Sequence, residues 1–107
     1  MRKIESEMND AISRSANWHS GNTRVEYDAL NEQSVVYLHN NRIAIVGRDF
    51  IQLFDGGWQS RTTKSRLNAI LETFGLTNER VFAKNFDWYV QMRDMTNIPF
   101  FSSMRLA

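Results

Sequence analysis

Arg61, Lys64 and Arg66 fall between residues 56 and 71 with no acidic side chain among them, in a chain whose formal net charge is only +1. At the start of a helix these cations join free backbone amides and the hydroxyls of Thr62 and Thr63, a combination that holds phosphate. Asn68 follows one turn later, where a carboxamide reaches a base edge. Arg61, Thr62, Thr63, Lys64, Arg66 and Asn68 are therefore the candidate nucleic-acid contact, with a solvated helix end as the plainer alternative. Three cations supply a small counterion-release term, so a homodimer that doubles the patch suits tight binding better than a monomer.

Aromatic residues form the second feature: Phe82, Phe86, Trp88 and Tyr89, with Phe100 and Phe101 beyond them. Such side chains stack unpaired bases when they lie on an open sheet face, and fill the core of a small domain otherwise. Phe86, at the tip of a two-residue turn, is exposed and calls for a partner protein or a packing reason. Phe86 with Met92 and Arg93 of the following loop is thus the candidate protein-partner site.

Other chemistries are largely removed. With no Cys there is no disulfide framework, thiol nucleophile, iron–sulfur cluster or Cys-based zinc site. His19 and His39 lack a second nitrogen ligand three to five residues away, so no metal is expected. The five glycines form neither a nucleophile elbow nor a phosphate loop nor a dinucleotide fingerprint, and no cofactor is implied. Glu26, Asp28, Asp49, Asp55 and Asp87 sit near expected turns or strand ends, as solvated acids or as carboxylates that converge in space. Glu5, Glu7 and Asp10 break up the first ten residues and the apolar runs 35–38 and 43–46 are short, so neither a signal peptide nor a membrane span is expected.

The elements that must position these groups follow from periodicity. Ile4, Met8, Ala11, Ile12 and Ser15 at helical spacing predict an amphipathic helix over 2–16, with Lys3–Glu7 and Asp10–Arg14 pairs on its wet side and a turn over 17–22. A period of two from Thr23 predicts a strand, and Asn40-Asn41 predicts a hairpin in which His39 pairs with Arg42, Leu38 faces Ile43 and Val36 faces Ile45. Residues 50–54 form a fourth strand whose inward set is either Ile51 and Leu53 or Phe50 and Phe54. Leu67, Ile70, Leu71 and Phe74 predict a helix over 63–74, capped by Thr62 or Thr63 and stopped by a left-handed Gly75. A second hairpin turns at Asn85-Phe86, residues 92–97 form a loop, and 98–101 supply an edge strand around Pro99. The expected fold is a single α+β domain over 1–107: N-terminal helix, antiparallel four-strand meander, second helix and C-terminal β-hairpin.

Four blocks within residues 36–88 resemble small accessory proteins encoded by tailed bacteriophages. They are Tyr37-Leu38-His39-Asn40-Asn41-Arg42-Ile43-Ala44, Gly56-Gly57-Trp58, Thr62-Thr63-Lys64-Ser65-Arg66-Leu67-Asn68, and Val81-Phe82-Ala83-Lys84-Asn85 with Trp88. The chain departs from that pattern where Asn40 and Phe86 stand in place of glycine; Asn40 keeps the turn chemistry, whereas Phe86 disfavours positive φ. The resemblance implies a viral accessory protein in the cytoplasm of the infected bacterial host, and no particular activity. Two functions stay open: a non-enzymatic binder of nucleic acid, or a protein-protein inhibitor of a host enzyme or defence factor.

Overall fold

In the computed structural model, which describes residues 1–106, β-branched and aromatic runs with period-two burial assemble one antiparallel sheet. Its strands are β1 (Trp18–Ser20), β2 (Thr23–Asp28), β3 (Gln33–Leu38), β4 (Asn41–Val46), β5 (Ile51–Leu53) and, at the far edge, the tail strand β9 (Met104–Leu106). The order is β1-β2-β3-β4-β5-β9, so the expected meander is the centre of a six-stranded sheet. One row of inward side chains runs Trp18, Val25, Val36, Ala44, Leu53 and Met104, each the cross-strand partner of the next. Ile51 and Leu53 are the inward pair of β5, which settles its phase.

The first hairpin differs from expectation by one position. Leu38 pairs with Asn41 and Tyr37 with Arg42, leaving His39 and Asn40 as the turn, both with positive φ. The register then shifts beyond Tyr37, and Val36 pairs with Ala44 and Val35 with Ile45. This irregularity inserts an extra residue in β4, so Ile43 stays buried while Ala44 and Val46 also turn inward. Ile45 therefore belongs to the outer row with Val35 and Gln52, not to the core row.

Two helices cover the inner face. α1 (Lys3–Ser13) buries Met8, Ala11 and Ile12, and α2 (Arg61–Phe74) buries Leu67, Ala69, Ile70 and Leu71. The expected Asp10–Arg14 pair forms on the wet side of α1 at 2.9 Å. The cap of α2 is Ser60, whose Oγ accepts from the Thr63 amide at 3.0 Å; Thr62 and Thr63 lie inside the first turn. Gly75 is not left-handed, having φ −80°. A glycine suits the position for another reason: a Cβ would lie 2.6 Å from the Leu71 carbonyl oxygen and 2.8 Å from the Glu79 carboxylate.

The remaining strands form a small second sheet, β6 (Arg80–Lys84), β7 (Asp87–Gln91) and β8 (Asn97–Pro99), in that order. The hairpin turns at Asn85-Phe86 as the sequence predicts, and Pro99 sits on the edge strand, where a missing N–H is tolerated. Val81, Trp88 and Val90 join the same core cluster as the large sheet, with Trp88 edge-on to Phe100 at 5.3 Å between centroids. Asn68 joins this sheet to α2: its Nδ2 donates to the Val81 carbonyl (2.9 Å) and its Oδ1 accepts from the Val81 amide (2.7 Å).

Candidate functional site

A loop, a turn and a helix start line one pocket. Phe54 ends β5, and Asp55 then organises the next residues by accepting from the Gly57 amide (2.8 Å) and the Gln59 amide group (3.4 Å). Gly56 takes φ +68°, and a Cβ there would press on Asn41 and Ile43 at 3.3 Å, so glycine lets this loop close down on β4. The result is a pocket of 440 Å³ with Leu38 and Ile43 as apolar lining, His39, Asn41, Asp55, Ser60, Thr62 and Thr63 as polar lining, and Trp58 at its side. Trp58 is 76% exposed, an unusual position for an indole.

The first turn of α2 borders this pocket and contains Arg61 and Lys64 but no acid. Cations at the positive end of a helix dipole are intrinsically unfavourable and become favourable when an anion sits between them and the free amides. Lys64 lies 6.0 Å from the Trp88 ring centroid, and Asn68, one turn on, bonds to Val81. Helix and hairpin are thereby placed alongside each other, and the Asn85-Phe86 tip falls at the same end of the molecule as Arg61. Phe86 is fully exposed there, beside Lys84.

The structure separates the expected nucleic-acid residues into two groups. Arg61 is exposed, Thr62 lines the pocket and Lys64 is half-buried, its ammonium 6.0 Å from the Trp88 ring centroid. Arg66 is not on the surface: it is 3% exposed, with Nη1 donating to Glu5 Oε2 at 2.8 Å and Nε to Thr23 Oγ at 3.1 Å. Asn68 spends its whole carboxamide on Val81, and Thr63 is buried with its hydroxyl 2.9 Å from that of Ser60. These three side chains are tied into the fold, Arg66 and Thr63 being buried as well. The sequence offered Arg66 as a surface cation at the helix start; the partner that buries it, Glu5, comes from the other helix.

The expected protein-partner residues also part. Phe86 stands at the tip of the hairpin, whereas Met92 and Arg93 lie at the other end of β7, about 20 Å away at ~3.3 Å per residue. Met92 packs against the core, and the Arg93 carbonyl accepts from Asn78. The aromatic residues divide by face: Trp88 is buried, while Phe82 and Tyr89 pair across strands on the outer face, their rings stacked at 5.7 Å, with the Arg80 guanidinium 4.9 Å from the Phe82 centroid.

Three of the five expected acids, Asp55 included, are used locally. Glu26 pairs with Arg24 at 2.9 Å. Asp28 accepts from the Asn31 side chain and from the Asn31 and Leu30 amides, and these bonds, that from the Asn31 carboxamide foremost, hold its carboxyl below the ordinary 3.8. Among the described residues no group of three His, Asp or Glu side chains is placed to hold a metal ion, and no helix is long and apolar enough to cross a membrane. Trp58 is the residue that sequence reasoning passed over; its signal was an indole in a Gly-Gly turn just before a helix, outside every apolar stripe.

The family model described as Kyanoviridae Gp96 protein, a phage protein family, matches residues 1–107, and the chain belongs to that family. No curated protein and no solved structure matches it.

Proposed function

We propose that this phage protein of the Kyanoviridae Gp96 family is a small non-enzymatic binding protein that contacts nucleic acid inside the infected bacterium, at the end of the molecule where α2 begins. One observation carries the reading. Arg61 and Lys64 on the first turn of α2 and Lys84 on the hairpin whose Trp88 lies 6.0 Å from Lys64 are in no ion pair among the described residues, and Trp58 just before α2 and Phe86 at the hairpin tip are the two most exposed aromatic side chains. Cations for phosphate next to free ring faces for bases is the composition of surfaces that track a single strand. The test is fluorescence anisotropy with single-stranded DNA and RNA of about ten nucleotides, against a duplex of the same sequence. Binding at ~50 mM salt should weaken as salt rises, and Arg61→Ala/Lys64→Ala should lower the log–log salt slope by about 1.4, or ~0.7 for each lost phosphate contact. Absence of binding at that salt, or a slope the double variant leaves alone, refutes it.

A protein partner, such as a host enzyme or defence factor, is a second reading that one feature favours. Phe86 holds φ 70° and is exposed, so two unfavourable terms meet in one residue. Capture from host lysate with wild type against Phe86→Ser separates this reading from the first, since identical capture by both removes it.

A further inference from the structure

We infer that the 440 Å³ pocket beside Trp58 is the seat of one unpaired nucleobase of a bound single strand, an assignment that rests on the nucleic-acid reading above and makes it specific. The volume lies within the range of small-ligand sites. Its lining is amphipathic in the way a base is. Leu38 and Ile43 supply apolar surface, and the Trp58 indole supplies a flat aromatic wall. Polar residues from three separate segments line it: Asn41 of β4, His39 of the hairpin turn and Thr62 of α2. Among the described residues none of these three side chains makes a hydrogen bond within the protein, so donors and acceptors remain for a base edge.

The surroundings favour a nucleotide over a neutral aromatic ligand. Arg61, directly before Thr62, and Lys64, two residues after it, put two cations on the helix turn that supplies part of the pocket's lining, so a base and its backbone are offered groups of matching chemistry. Asp55, the acid of the pocket, has both its oxygens engaged within its own loop, by the Gly57 amide and the Gln59 carboxamide. The base must be unpaired, because a pocket lined from all these segments admits a base only after it leaves a duplex stack.

The test compares a single-stranded oligonucleotide with an abasic strand of equal length, and with a mononucleotide, by anisotropy and by competition. The normal strand should bind about tenfold more tightly than the abasic one, as one base stacked on an aromatic ring warrants. Trp58→Ala should erase that difference and Trp58→Phe should restore most of it; Trp58 is exposed, and an unchanged thermal midpoint checks that neither variant unfolds. Arg61→Ala/Lys64→Ala should weaken both strands alike. Equal binding of normal and abasic strands by the wild type overturns the base pocket while leaving the nucleic-acid reading standing. A mononucleotide that competes as well as the strand overturns the strand assignment in favour of a free nucleotide, and failure of every strand to bind overturns the reading itself.

Discussion

Glu5 and Arg66 lie 61 positions apart in sequence and meet in the interior, 2% and 3% exposed, where an ion pair survives only if its remaining atoms are bonded. They are: Glu5 also accepts from the Ser65 hydroxyl (2.6 Å) and the Arg2 amide (3.0 Å), and Arg66 also donates to Thr23 and Asn22. Burial pushes the Glu5 carboxyl up, but the bonds from Ser65, Arg2 and Arg66 together with the Arg66 charge outweigh it, and the carboxyl ends below its ordinary 4.5. A carboxylate lowered on folding adds stability that is fully present above its unfolded value and is lost as pH falls through the folded one. Glu5→Gln, which mimics the protonated state and strands a buried guanidinium, should therefore cost about 3 kcal/mol at neutral pH. Its deficit in urea unfolding should begin to shrink as pH drops below 4.5 and vanish once pH has fallen through the lower folded value, where the folded wild type loses the same charge. A deficit that stays constant from neutral pH to acid would show that the pair contributes shape and not charge.

At the scale of elements, the hairpin turn of Asn85 and Phe86 sets stability against exposure of a ring. Both residues have positive φ, 53° and 70°, as a two-residue turn between twisted strands requires, and Phe carries a Cβ that resists it. Phe86→Gly should raise stability by about 1 kcal/mol, read as a higher denaturation midpoint, and should weaken single-strand binding if the ring belongs to the surface around Arg61. Asn85 and the alternating runs beside it made this hairpin legible in sequence, as did the apolar stripes of both helices. What sequence did not show was non-local or short. β1 and β9 have three residues each, too few to display a period, and they exist because a neighbouring strand offers an edge. The shift at the first hairpin arose because His39 and Asn40 take the left-handed positions that Asn40 and Asn41 suit equally well by composition, and the irregularity near Ile43 repaired the apolar face. The candidate site divided in the same way. Arg61, Thr62 and Lys64 fall in the first turn of a helix whose start the sequence put within a few residues, although its cap is Ser60 and not Thr62 or Thr63, whereas the burial of Arg66 depended on a carboxylate 61 residues away, and the pocket on a loop folding back over β4.

For the molecule as a whole, the question is whether the two sheets behave as one body. They share no strand, yet their inward residues belong to one cluster that includes Val25 and Val36 of the large sheet and Val81 and Val90 of the small one, with α2 between them. Asn68 is the polar part of that union, because its carboxamide satisfies both backbone groups of Val81 in a setting with little water to replace it. Thermal unfolding should therefore be a single transition, with calorimetric and van't Hoff enthalpies equal. Asn68→Ala should cost about 1–3 kcal/mol through the unpaired Val81 amide and carbonyl, and because the loss falls between helix and hairpin it should loosen the small sheet first. Hydrogen exchange provides the measurement: amides of β6 and β7 in the variant should exchange faster than those of β3 and β4, while in the wild type the two sets exchange with the same opening free energy. If the wild type already shows two transitions, the hairpin sheet is an independently melting unit, and the surface that joins Phe86 to Arg61 and Trp58 would not be held in place for a strand to cross.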